Sequence, residues 1–96
     1  MMRNYEGMFI FHPSLDEENL QQEIQMVEKL IKENGEGNVK YEIIGKKTLA
    51  YPVKKENSGY YVNFQFECPP AAIGKIKDGL KHKGNILRFI FFKIQK

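Results

Sequence analysis

The chain has 96 residues, 15 basic against 12 acidic side chains for a net charge of +3, and a 42% hydrophobic fraction. That is one compact domain, spanning 1–96, with a core of ordinary size and no need of covalent staples. A lone Cys68 excludes an internal disulfide, and no His or Cys stands at zinc-ligand spacing from it. The setting is therefore expected to be reducing, with Cys68 a small packed hydrophobe.

The charge is unevenly laid out. Acids crowd into Asp16–Glu36. From Lys75 onward Lys75, Lys77, Lys81, Lys83, Arg88, Lys93 and Lys96, with His82 among them, face Asp78 alone. Such a layout can build a one-sided field, to which phosphate-rich partners respond.

The first predicted element is a strand, Asn4–Phe11. Tyr5, Phe9 and Phe11 fall on one face and Glu6, Met8 and Ile10 on the other, a largely apolar pattern on both sides that fits a central strand. The stretch is too short to cross a bilayer and carries no cleavage site, so neither a membrane helix nor a signal peptide is expected. His12-Pro13 ends it. Ser14 and Glu17 fit a capping box, with Asp16 as a competing cap. Leu20, Ile24, Val27, Leu30 and Ile31 then recur at three- and four-residue steps as one helical stripe, which Asn34-Gly35 stops.

A second strand runs from Val39 through Ile44, bends at Gly45, and resumes through Leu49 to Tyr51. Pro52 cannot donate to a ladder, which assigns this strand to a sheet edge. Lys54–Gly59 reads as a polar turn. Tyr60–Glu67 alternates strictly, with Tyr60, Val62, Phe64 and Phe66 on one face and Tyr61, Asn63, Gln65 and Glu67 on the other. Pro69-Pro70 opens a second helix with the narrow stripe Ile73, Ile76 and Leu80. Gly74 and Gly79 each cost about 1 kcal/mol relative to alanine, so that helix leans on packing. Gly84 ends it, and Asn85–Ile94 is the last strand.

The order β-α-β-β-α-β predicts an α+β, ferredoxin-like split β-α-β fold: a four-stranded antiparallel sheet in spatial order 4-1-3-2 with both helices on one face. Small enzymes share this topology, so catalytic signals have to be sought. His12 and His82 have no serine or carboxylate partner implied by spacing. Gly35-Glu36-Gly37 follows a helix and is no nucleotide loop. An acylphosphatase would need an arginine in a phosphate-cradling loop after the first strand, where this chain has His12-Pro13-Ser14. The reading is therefore no enzyme, no metal, no cofactor and no small-molecule substrate.

Two features remain. Met8, Ile10, Tyr61, Ile90, Phe92 and Ile94 point away from the helices if Tyr5, Phe9 and Phe89 point inward. A contiguous patch of that kind marks a protein partner. Lys46-Lys47 and Lys54-Lys55 flank the edge strand, and Arg3, Arg88 and Lys93 fall near the sheet; together they suit a phosphate-reading surface with a steep salt dependence.

Gly45-Lys46-Lys47-Thr48-Leu49-Ala50-Tyr51-Pro52-Val53-Lys54-Lys55, followed by Gly59-Tyr60-Tyr61, resembles the signature of the bacterial small-subunit ribosomal protein six family. Arg3-Asn4-Tyr5-Glu6, Pro13-x-Leu15 and Asn85-Ile86-Leu87-Arg88 match as well, so the similarity covers essentially the whole chain. It implies the fold derived above and a cytoplasmic, structural role in the small ribosomal subunit. It further implies binding to the central domain of small-subunit ribosomal RNA as a heterodimer with small-subunit ribosomal protein eighteen. Arg3, Arg88 and Lys93 match positions that lie toward RNA, to which Lys46, Lys47, Lys54 and Lys55 are added. Leu49, Tyr51 and Pro52 match the segment toward the partner protein. Leu87 stands where relatives often carry a second basic residue. The alternatives from other classes are a small-molecule regulatory module working as a homodimer, and a single-strand RNA reader stacking bases on Tyr61.

Overall fold

A computed structural model describes residues 3–35 and 37–94; Glu36 of the acidic run and Lys96 of the basic run lie outside them. The elements are β1 (Arg3–Phe11), α1 (Glu17–Gly35), β2 (Val39–Val53), β3 (Glu56–Cys68), α2 (Ala72–Leu80) and β4 (Ile86–Lys93). The strands form one antiparallel sheet in the order β2-β3-β1-β4, which is the expected order read from the other edge.

The period-2 pattern of β1 decides the layering. Tyr5, Phe9 and Phe11 are buried with Val62, Phe64, Phe66 and Cys68 of β3 and with Ile86 of β4. Against them α1 sets Leu20, Ile24, Val27 and Ile31, and α2 sets Ala72, Ile76 and Leu80. Phe9 is the hub: its ring stands 4.9 Å from Phe64 edge-on and 5.8 Å from both Phe89 and Phe91. A fully buried phenylalanine of this kind contributes about 2–3 kcal/mol. Cys68 is wholly buried, and burial pushes its thiol pKa up.

Local structure decides one choice that the sequence left open and departs from the sequence reading in three places. Ser14 is not the cap of α1: its N–H (3.1 Å) and its hydroxyl (2.7 Å) both aim at His12 Nδ1. Asp16 does the capping, with Oδ1 accepting the Asn19 N–H at 2.7 Å and its carbonyl accepting from Leu20. The second helix begins at Ala72 and ends at Leu80, after a turn in which Pro69 and Pro70 carbonyls accept from Ala72 and Ile73. β2 continues through Pro52 to Val53, and β3 starts at Glu56, because the turn between them is only Lys54-Lys55. Spacing implied no partner for His12, yet the fold gives it Ser14 and, at 3.4 Å from Nε2, Glu56. The Glu56 contact fastens the chain just after β1 to the tip of the β2–β3 hairpin.

That hairpin is irregular. The register shifts at Ile44, beside Gly45 at φ 127°, and again between Thr48 and Val53, where four residues bulge against Asn57. β1 stops opposite Tyr60, so the hairpin from Glu56 to Gly59 overshoots the sheet. Gly59 permits the crossing: a Cβ there would lie 2.5 Å from Ile10 Cγ2 and 3.0 Å from the Phe11 carbonyl oxygen. The overhanging arm thereby folds against the start of β4.

Candidate functional site

Paired residues of an antiparallel ladder share a face, so the register sorts the sheet surface directly. The face away from the helices carries Glu6, Met8 and Ile10 from β1, and Tyr61, Asn63 and Gln65 from β3. Opposite these stand Arg88, Ile90 and Phe92 from β4, and Lys40 and Glu42 from β2. Ile90 and Phe92 are exposed, the latter at 53%, while Met8, Ile10 and Tyr61 are half-buried. The apolar group expected from the sequence is therefore contiguous. Sequence reasoning missed its border of acids, because Glu6 and Glu42 carry no signal until their cross-strand neighbours are known.

The hairpin closes one end of this face. Arg88 Nη1 donates to the Tyr51 hydroxyl at 2.6 Å, and Lys54 Nζ donates to the Ile86 carbonyl oxygen at 3.2 Å. Both bonds join β2 and its turn to β4, although β3 and β1 lie between those strands in the sheet. Tyr51 is nonetheless 59% exposed and Pro52 lies open beside it, whereas Leu49 is half-buried. Lys54 and Lys55 form the turn with φ of 49° and 69°, the two successive positive values of a type I′ hairpin that usually selects Asn-Gly. Non-glycine residues held there are strained, a condition that gathers at functional positions.

The seven predicted phosphate-facing cations do not form one patch. Arg88, Lys54 and Lys55 share the hairpin end, with Lys47 across from Gly59 on the same outer face. Lys46 lies opposite Tyr60 on the helix side, its Nζ 5.9 Å from that ring's centroid. Arg3, opposite Cys68, and Lys93, opposite Tyr5, lie at the far end. Seven residues of β1 separate the level of Arg3 from that of Arg88, about 23 Å along the strand. Arg3 Nε is buried with no partner among the described residues. Leu87 is 5% exposed and would meet a Cβ of Gly59 at 3.5 Å. A charged side chain there would have to leave this packing.

Two open concavities of mixed polar and apolar lining lie on the sheet. One of about 330 Å³ sets Tyr5, Phe66 and Ile94 among polar side chains such as Asn38 and Glu67, and one of about 210 Å³ sets Tyr41 among Lys40, Glu42, Asn63 and Gln65. Small-molecule sites are enclosed clefts that bury most of their ligand, whereas both concavities are open. Among the described residues no group of three or more His, Cys, Asp or Glu could hold a metal ion, and no helix is long and apolar enough to cross a membrane.

With this geometry in hand, three comparisons bear on the chain. The family model described as Ribosomal protein S6 matches residues 4–93. Small ribosomal subunit protein bS6 of Thermosynechococcus vestitus is 34% identical over 98% of this chain and 82% of its own length. The protein of that name from Fusobacterium nucleatum is 34% identical over 96% and 98%. The crystal structure of 30S ribosomal protein S6 from Thermotoga maritima superposes with a TM-score of 0.91 at 30% identity, covering 98% of this chain and 89% of that one. A chemotaxis kinase P2 domain, at a TM-score of 0.58 and 16% identity, shares the fold alone.

Proposed function

The chain belongs to the ribosomal protein S6 family, and we propose that it binds the central domain of small-subunit ribosomal RNA together with small-subunit ribosomal protein eighteen. Members of the family are structural, non-enzymatic components of the small ribosomal subunit, a cytoplasmic particle of translation. What remains for this chain is which surface meets which neighbour.

The observation that carries the reading is the hairpin folded against β4. It sets Tyr51 and Pro52 beside the apolar outer face, and Lys54, Lys55 and Arg88 at the same end. A protein partner takes Leu49, Tyr51, Pro52, Met8, Ile10, Tyr61, Ile90 and Phe92. Glu6 and Glu42 border this patch and repel phosphate, so the RNA is met at its margins. There Arg88, Lys47, Lys54 and Lys55 make one cationic group and Arg3 with Lys93 a second. Lys46, like Arg3 and Lys93, falls on the helix side of the sheet by register.

Binding of a central-domain RNA fragment, measured with and without protein eighteen across a salt series, tests the reading. The two proteins together are expected to bind far more tightly than either alone. Each lost phosphate contact is expected to reduce the slope of log K against log salt by about 0.7–0.9. Equal affinity with and without protein eighteen, or a slope unchanged when Arg88, Lys54 and Lys55 become alanine, would overturn it.

A further inference from the structure

The open edge of β2 has a feature that the ribosomal reading does not use. The Glu67 N–H donates to the Asn38 carbonyl oxygen at 3.2 Å. That bond sets the parity of the ladder: the even residues 38, 40 and 42 turn their backbone groups toward β3. Val39, Tyr41 and Ile43 therefore direct their N–H and C=O groups outward, to an edge that no described strand covers. The regular stretch ends at the Ile44 bulge.

Val39-Lys40-Tyr41-Glu42-Ile43 is a palindrome in chemical character. Turned antiparallel onto itself about Tyr41, it places Val39 opposite Ile43 and Tyr41 opposite Tyr41. On the other face it sets Lys40 opposite Glu42, and Glu42 opposite Lys40. The side chains that would meet on the helix side are unusually open: Tyr41 is 39% and Ile43 44% exposed. Exposed apolar residues on an unpaired edge are a template for strand addition. The charges of such strands ordinarily repel like neighbours; here the same two charges match their own reverse order.

We propose that this chain pairs with a second copy of itself through antiparallel addition of β2 edges at Val39–Ile43, producing a continuous eight-stranded sheet. Opposite-charge and aromatic cross-strand pairs favour the register. Five residues a side fall short of the ~1,200 Å² that stable complexes bury, so the dimer is weak and belongs to concentrated protein free of the ribosome. The hairpin tip and Arg88 lie outside the contact, which separates this association from RNA binding.

Sedimentation velocity of the full chain over a concentration series tests it. A monomer–dimer equilibrium is expected. Lys40→Glu and Glu42→Lys are each expected to weaken self-association about ten-fold or more, as attraction becomes repulsion at both symmetric positions. An equimolar mixture of the two variants, and the double variant K40E/E42K, are expected to restore it. All three variants should keep the wild-type circular dichroism spectrum. A monomer at the highest soluble concentration overturns the proposal and leaves the edge to a foreign strand. A dimer indifferent to these charge changes, or one not restored by the mixture, overturns the register.

Discussion

The Tyr51 hydroxyl accepts a 2.6 Å hydrogen bond from Arg88, joining the two outermost strands of a four-stranded sheet. The contact exists because the β2–β3 hairpin outruns β1 and folds over its end. Both groups are exposed, so the bond adds little to stability. Tyr51→Phe is expected to cost less than about 1 kcal/mol in urea unfolding. Its effect on assembly is expected to be larger, because the guanidinium loses the group that orients it. A Tyr51→Phe protein that bound RNA and protein eighteen as tightly as wild type would separate Arg88 from any positioning by the hairpin.

The Lys54-Lys55 turn predicts a trade between stability and binding. Residues with side chains in the left-handed region cost roughly 1 kcal/mol each, and both lysines sit there. Replacing the pair by Asn-Gly is expected to raise stability by about 1 kcal/mol, after the loss of the Lys54–Ile86 bond is set against it. That corresponds to about 4–8 °C in Tm. The same change removes two cations and should reduce the RNA salt slope by about 1.4–1.8. Calorimetry and a salt titration on one variant check both halves. A steeper or unchanged slope would mean that the lysines do not face phosphate.

How much of this was legible in the sequence follows from what sets each feature. The layering was legible because Tyr5, Phe9 and Phe11 alternate with Met8 and Ile10, and alternation is a local property. Pro52 marked the edge strand for a similar reason. The cap of α1 stayed open between Ser14 and Asp16, since both satisfy the local pattern and only the position of His12 decides between them. The hairpin's reach to β4 was not legible at all. It depends on strand overhang, on two bulges and on the absence of a side chain at Gly59. For the same reason the cations seemed to form one cluster, whereas register puts Lys46 and Lys47 on opposite faces and Arg3 at the far end from Arg88.

The cap assignment is open to direct measurement. Asp16→Ala removes the acceptor of the Asn19 N–H and is expected to cost about 1 kcal/mol. Ser14→Ala loses only an exposed contact with His12 and should cost a few tenths at most. Equal losses in chemical denaturation would return Ser14 to the cap.

Cys68 gives a pH prediction. Its thiol pKa is raised by burial in the folded state, so the neutral form is favoured there relative to the unfolded chain. The associated stability is complete below the ordinary thiol pKa and is lost as pH rises above it. The thiol is expected to resist aromatic disulfide reagents at pH 8 until urea unfolds the protein. Cys68→Ala should flatten the alkaline decline in stability, measured against wild type; rapid labelling of the native protein would contradict the burial.

Gly59 carries the sharpest structural prediction, because the whole site geometry passes through it. A Cβ at this position lies 2.5 Å from Ile10 Cγ2 and 3.0 Å from the Phe11 carbonyl oxygen. Gly59→Ala must therefore push the hairpin off the end of β1, at a cost of about 1–3 kcal/mol. Trimming Ile10 to alanine relieves the first clash and leaves the second, since the carbonyl belongs to the backbone. The double variant should thus recover part of the loss caused by Gly59→Ala, seen as a coupling term in a double-mutant cycle. Displacement of the arm should also break the Tyr51–Arg88 contact, so Gly59→Ala is expected to weaken joint binding with protein eighteen more than Tyr51→Phe does. Strict additivity with Ile10→Ala would mean that the crossing is not limited by this contact.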